Sequence, residues 1–324
     1  MVNDKVPLHE EQWLEELAIK IFSDIEELTR DKIGISRESY GTGEALGINY
    51  LIDLAEEFGF YIEKDDAANV FFSLDKSIKT NYILVGSHMD SVPQGGNFDG
   101  LAGVVAGFLL LVNLKEKKIK TSLPVKVLVL RGEESAWYGK NCIGSKALFG
   151  LLSKDDLNST HRTTGDKLSK AMNASGAQLD LIKRSRPLID RKKIEVFIEI
   201  HIEQGPILVD KDWPIAIVTG IRGNYRHHKI RCIGDAGHSG TIPRYLRKDA
   251  VFAGADLITR MDDHWNTIQQ HGGDLVLTSG IFHTDSKHHA MSRIPGEIYF
   301  SFESRSQDSA TLDALEALLK SMVA

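Results

Sequence analysis

GSHMDSVPQGGNFDGLAG, residues 86–103, places His88, Asp90 and Asp99 on one glycine-rich turn. The run before it, Tyr82 to Val85 (YILV), is β-branched and aromatic like a buried strand, and Gly103 to Leu114 after it has helical apolar spacing. The polar residues therefore sit between a strand and a helix. In open α/β sheets, ligands and catalytic groups gather at that edge, beyond the carboxyl ends of the strands. An imidazole and two carboxylates at such an edge are the makings of a metal site.

Two further strand-like runs end in the same way. Val125 to Leu130 (VKVLVL) leads into Arg131, Gly132, Glu133 and Glu134, and Glu195 to Ile200 (EVFIEI) leads into His201, Ile202, Glu203, Gln204 and Gly205. If the three strands are parallel neighbours, their ends bring two histidines, two aspartates and a glutamate pair into one pocket. Imidazole and carboxylate without thiolate suit zinc, manganese or cobalt, whereas an all-oxygen set favours magnesium or calcium. Each piece alone also has a plainer explanation. His88 could be a hydrogen-bonded loop residue, Asp90 and Asp99 turn caps, Glu133 and Glu134 a solvated helix start, and His201 a satisfied core histidine. What weakens these explanations together is that each residue falls at the end of an apolar strand.

Composition sets the frame. The chain has 324 residues, 42% of them hydrophobic and 26% charged, which is ordinary for a soluble protein of two domains. With 39 basic and 45 acidic residues the net charge is −6, against general binding of nucleic acid or anionic membrane. MVNDKVPLHEEQW lacks an apolar signal core, and the longest apolar run, Val104 to Val112, is too short to span a bilayer. Cys142 and Cys232 are in no CxxC spacing, so the expected setting is a reducing cytoplasm without a zinc ribbon.

Along the chain, periodicity predicts helices at Glu11 to Leu28 and Gly43 to Phe58, then strands around Phe60 to Ile62, Val70 to Leu74 and Tyr82 to Val85. Leu151 to Arg191 is polar and reads as a loop with short helices, a surface excursion or a flap. The pattern breaks at Thr219 to Gly223. Beyond it, a strand (Tyr225 to Ile233), helix (Leu246 to Met261), strand (Asp274 to Phe282), strand (Gly296 to Phe302) and helix (Ser309 to Val323) suit a small α+β sandwich. The expected architecture is α/β: residues 1–219 form a catalytic domain with a mixed, mostly parallel sheet flanked by helices, and residues 220–324 form a smaller α+β lid.

The segments GSHMDSVPQGGNFDGLAGV, RGEESAW, HIEQGPIL, GDAGHSGTIPRYLRKDA and, more loosely, SRIPGEIYFSFESRS occur in this order between His88 and Arg305. In them the chain resembles the amidase branch of the M20 metallopeptidase superfamily, which includes N-carbamoyl-L-amino-acid hydrolases, allantoate amidohydrolases and β-ureidopropionases. HIEQGP is the most discriminating segment. The resemblance implies that His88 and His201 bind one divalent metal, Zn, Mn or Co, while Asp99 bridges to a second held by Glu134. It makes Glu133 the general base and has Asp90 orient His88. His238 would steady the oxyanion, and Gln204 and Arg305 would grip the substrate, Arg305 through its carboxylate. It further implies a homodimer formed through the lid, with His238 and Arg305 able to act in a neighbour's site.

Two departures from the family stand out. Ser292 and Arg293 precede the IPG turn where the family often has Asn, and no histidine matches the one that completes the second metal site in a glycine-rich C-terminal motif. In family terms the chain, ending at Ala324, would then lack the last part of the catalytic domain. The expected activity is metal-dependent hydrolysis of a linear C–N bond in an N-carbamoyl-L-amino acid or related ureido acid. The alternatives are an M20 aminoacylase or peptidase, and an inactive relative that binds or dimerises.

Overall fold

A computed structural model describes residues 12–323, which divide into a first unit ending at Ile207 and a second beginning at Leu208. The expected break at Thr219 to Gly223 thus lies inside the second unit. In the first unit, the apolar stripe containing Ile21 and Ile25 forms α1 (Gln12–Thr29), Glu11 lying outside the described residues, and α2 (Thr42–Glu57) buries Ile48, Leu51 and Ala55. Five strands follow: β1 (Tyr61–Lys64), β2 (Val70–Ser73), β3 (Tyr82–His88), β4 (Val125–Leu130) and β5 (Ile194–Ile198), with α3 (Leu101–Glu116) between β3 and β4. They form one sheet in the order β1-β2-β4-β3-β5. β3 is parallel to both β4 and β5, whereas β2 is antiparallel to β4 and β1. Only β2 runs against the rest, so the sheet is mixed and mostly parallel.

Burial explains why α3 follows β3 so closely. The helix is apolar almost all round and buries Leu101, Val104, Val105, Phe108, Leu111 and Val112. At Gly107 a Cβ would stand 2.9 Å from Val127 of β4, so the missing side chain lets helix and sheet approach. Phe108 is wholly buried, with Phe60, Phe72 and Phe58 at ring-centroid distances of 5.3, 5.7 and 6.1 Å.

The polar stretch after β4 contains α4 (Ile143–Leu148), α5 (Lys154–Leu157), α6 (Leu168–Ala174) and α7 (Leu179–Ile182). It has a core of its own, in which Leu152, Leu157, Leu168, Met172 and Ile182 pack with Tyr40, Trp137 and Ile143. Helices this short cannot show a repeating stripe, which is why the sequence displays only their polar surface.

The pairing of β3 with β5 contains an irregularity. Tyr82 pairs with Ile194, but Ile83 pairs with Val196, so Glu195 is an extra residue in β5. Asn81 Nδ2 donates to Glu195 Oε2 at 3.0 Å. From there the register runs to Val85 opposite Ile198. Carried three residues further, it sets His88 opposite His201. Without the extra residue His88 would face Ile200, and the following histidine would point to the other side.

The chain passes through a one-turn helix, α8 (Ile207–Asp210), into the second unit. There β6 (Gly223–Ile233), β7 (Gly237–His238), α9 (Ala250–Gln270), β8 (Val276–Thr278), β9 (Phe282–His283), β10 (Arg293–Ile294), β11 (Glu297–Ser306) and α10 (Ser309–Val323) follow. β11 is the spine, antiparallel to β6, β8 and β9, while β7 and β10 form a separate ribbon. Strict alternation along β11 buries Ile298, Phe300, Phe302, Ser304 and Ser306. Phe302 packs with Met261 of α9 and with Leu315 and Leu319 of α10. This is the helix-on-sheet arrangement expected, with two corrections. The strand expected over Asp274 to Phe282 breaks at Gly280 into β8 and β9, which pair with different parts of β11. The helix expected from Leu246 starts at Ala250, where the Asp249 carboxylate accepts the N–H groups of Val251 and Phe252 at 3.1 and 3.3 Å, and it runs on to Gln270. No helix among the described residues is long and apolar enough to cross a membrane.

Because Phe108 centres the aromatic cluster, Phe108→Ala should lower the stability of the first unit by about 3–5 kcal/mol in chemical denaturation. A loss below about 1 kcal/mol would remove this cluster as the core's anchor.

Candidate metal centre

β3, β4 and β5 deliver their carboxyl ends side by side, and a buried carboxylate ties the first two together. Asp90, with no exposed surface, accepts the Glu133 N–H on Oδ1 at 2.9 Å and the Glu134 N–H on Oδ2 at 3.0 Å. Ser39 Oγ donates to Oδ2 at 2.6 Å. Burial would raise this carboxyl, but the hydrogen bonds and charge of His88, with those of Ser39 and Glu134, hold it below its ordinary value. Asp90 therefore stays ionised. Its Oδ1 lies 3.3 Å from His88 Nδ1, and the Asp90 carbonyl is 3.0 Å from the same nitrogen.

A carbonyl can only accept, so His88 Nδ1 carries hydrogen, and whenever the ring is neutral Nε2 offers the lone pair. His201 repeats the pattern, its Nδ1 lying 2.9 Å from the Ile202 carbonyl. The two rings are 5.7 Å apart between centroids, and both Nε2 atoms face Asp99 Oδ1, at 3.6 Å from His88 and 3.1 Å from His201. That oxygen is buried and accepts no hydrogen bond. With both rings neutral, three electron-pair donors converge here, an arrangement that a divalent cation would satisfy. His88, Asp99 and His201 fit one such ion.

A second grouping joins His88 to Glu133 and Glu134. Asp99 and Glu134 fall in different groups, and His88 is the residue they share. Burial first, then the charges of Glu133, Asp90 and Asp99, push the Glu134 carboxyl up to about 7 against the pull of His88. Burial disfavours charge on His88, yet the hydrogen bond and charge of Asp90, with Glu133 near, raise it to about 9. Both shifts have one meaning: the pocket holds more negative charge than its donors neutralise, and it favours a cation.

Several supporting residues lie outside the motifs. Arg37 is wholly buried and grips the metal-site turn, donating from Nε to the Met89 carbonyl at 2.6 Å, from Nη1 to Asn97 Oδ1 at 3.0 Å and from Nη2 to the Asn97 carbonyl at 3.0 Å. Burial lowers its guanidinium to about 10, opposed by Asp90, Asp99 and Glu44, so it remains cationic at neutral pH. Trp137 Nε1 donates to the Ser91 carbonyl at 2.7 Å. Cys142 Sγ lies 3.3 Å from Glu133 Oε1, within reach to donate. Behind β4, the Glu44 carboxylate accepts Arg131 Nε at 2.6 Å and the Gly132 N–H at 2.8 Å. Neither Arg37 nor Glu44 has a local sequence signal beyond being a charge beside apolar stretches.

Of the expected substrate contacts, Gln204 lies beside Asp99 and donates to its Oδ2. His238 and Arg305 belong to the second unit. His238 sits on β7 opposite Arg293, and its Nδ1 accepts the Gly240 N–H at 3.1 Å. Arg305 sits on β11, where its Nη2 donates to Glu303 at 3.1 Å.

Strand ends carrying this donor set belong to an α/β protein with a candidate site for a divalent cation, and the family is specific. The chain belongs to Peptidase family M20/M25/M40, which matches residues 84–323. It is 33% identical over 236 residues to an N-carbamoyl-L-amino acid amidohydrolase of Geobacillus stearothermophilus, covering 71% of this chain and 56% of that protein. It is 30% identical over 249 residues to an allantoate amidohydrolase of Escherichia coli strain K12, covering 76% and 58%. A solved hydantoinase/carbamoylase family amidase from Burkholderia ambifaria superposes with a TM-score of 0.82 at 27% identity, covering 94% of this chain and 73% of that one. The chain spans 56–64% of the length of the first curated relatives it matches.

Gly100 offers a direct test of the centre. Its φ is +66°, and a Cβ there would lie 2.5 Å from the His88 ring. Gly100→Ala should weaken zinc binding at least tenfold, the scale for disturbing a ligand's support, as read by competition with a chromophoric chelator. Added zinc should also raise the melting temperature of the parent chain, as any ligand of the native state does; an unchanged melting temperature would count against the centre.

Proposed function

We propose that this chain carries the catalytic centre of a cytoplasmic metal-dependent amidohydrolase that cleaves a linear C–N bond of an N-carbamoyl-L-amino acid or related ureido acid and releases ammonia. The observation that carries the proposal is the convergence of His88 Nε2 and His201 Nε2 on the unpartnered oxygen of Asp99, with two glutamates beside His88. The names of the relatives from Geobacillus stearothermophilus and Escherichia coli supply the substrate class.

In this proposal His88, His201, Asp99 and Glu134 hold divalent cations, Zn, Mn or Co. When bound, such ions polarise a carbonyl and acidify water. Glu133 acts as the base, taking the proton of the attacking water and delivering it to the departing nitrogen. Asp90 fixes the backbone of Glu133 and the ring of His88, so base and ligand keep a constant spacing. Gln204 keeps the role that the resemblance implies, gripping the substrate by a hydrogen bond. His238 and Arg305 keep the roles that the resemblance implies, as oxyanion donor and as a planar fork for the substrate carboxylate. The second unit serves as a lid through which two copies pair.

Glu133→Gln should lower ammonia release from a panel of N-carbamoyl amino acids by about 10²–10⁴-fold, the usual share of a general base, while bound metal stays near the parent level. Undiminished turnover would remove Glu133 from its role. His201→Ala should reduce metal content measured by elemental analysis, and full retention would refute its assignment as a ligand.

A further inference from the structure

The backbone ladder between β3 and β5 ends at Val85 and Ile198, three residues short of the two histidines. Beyond the last rung, parallel strand ends have no backbone bonds to keep them at one spacing. Ser87 Oγ donates to Glu199 Oε1 at 2.6 Å across this gap. Ser87 immediately precedes His88 and is completely buried, and Glu199 stands two residues before His201. Gly103 of α3 backs the same point: a Cβ there would lie 2.2 Å from the Ile200 carbonyl oxygen and 2.7 Å from Ser87 Cβ. The segment carrying His201 is thus confined by the helix on one side and joined by a hydroxyl–carboxylate bond on the other.

We propose that Ser87 and Glu199 form a side-chain rung that continues the β3–β5 ladder, sets the separation of His88 and His201, and thereby tunes the affinity of the centre for its cation. The inference rests on both histidines being ligands. Ser87 and Glu199 act as positioning residues, and neither is among the grouped candidate ligands. A hydroxyl donating to an ionised carboxylate is stronger than a neutral pair, and a buried hydroxyl has few other partners. A small error in the spacing of two imidazoles is felt directly in the affinity for the ion between them.

The test is zinc affinity of the whole chain, by competition with a chromophoric chelator, alongside the melting temperature of the metal-free protein. Ser87→Ala and Glu199→Ala should each weaken zinc binding by about tenfold, the scale for residues that orient ligands. The double variant should be no weaker than either single one, because both changes remove the same bond. Glu199→Gln keeps an acceptor oxygen and should bind near the parent level. Metal-free melting should be unchanged in all of them, which separates positioning from general destabilisation. Parent-like affinity in Ser87→Ala, additive losses, a Glu199→Gln variant as weak as Glu199→Ala, or losses that track metal-free melting would each overturn the rung. His201→Ala separates this from the underlying assignment. If it binds zinc like the parent, the ligand set itself is wrong; if it loses zinc while Ser87→Ala does not, only the rung fails.

Discussion

The Asp90 carboxylate is the interaction on which the site depends. It lies in the interior, where an unpaired charge would be costly, and it is tolerated because donors from three separate segments converge on it. Ser39 approaches from the loop before α2, His88 from the end of β3, and the N–H groups of Glu133 and Glu134 from the end of β4. The β3–β4 ladder reaches His88 opposite Leu130, and the Asp90 carboxylate carries the connection on to the residues after β4. The carboxylate serves as the common partner of all three segments, and in doing so fixes an imidazole and two glutamates at set distances from each other.

Around this knot the charge is uneven. Asp99, Glu133 and Glu134 are grouped about His88, and Arg37 sits behind the turn with its guanidinium committed to backbone and Asn97. Arg37 offsets part of the negative charge of Asp90 and Asp99 while its own N–H groups are spent on Met89 and Asn97. Glu44 and Arg131 form a second buried pair one layer deeper, where Glu44 also holds the Tyr40 N–H at 2.8 Å. That pair steadies Gly132, and hence the start of the segment bearing both glutamates.

Much of this was legible in the chain because the donors sit where strand signals stop. VKVLVL forms β4 with the expected bounds, and the helix expected from Ser309 to Val323 is α10. His88, Asp99 and His201 converge as the strand-end pattern implied, and the family match agrees with the motifs quoted for it. What sequence left hidden depends on distant partners. Nothing local marks Arg37 and Glu44, whose roles come from the distant partners Asn97 and Arg131 that the fold brings to them. The small core under Leu157, Leu168 and Met172 is built from helices too short to show a period. Gly280 divides an apparently continuous strand because β8 and β9 pair with different stretches of β11, a choice made by the partner strand.

The extra residue in β5 bears on how the centre assembles. Hydrophobic burial normally chooses strand register, since a slip by one turns the apolar face outward. In this structure Val196, Phe197 and Ile198 are each 42–45% exposed, so apolar contact penalises a slip in β5 only weakly. Polar contacts are then free to bear on the alignment, among them the amide of Asn81 on the bulged Glu195 and the hydroxyl of Ser87 on Glu199. A misaligned β5 would keep almost the same core and lose the paired imidazoles. An ion that binds only when the two rings meet would then act as a proofreader of strand alignment, drawing the population toward the one pairing that can hold it.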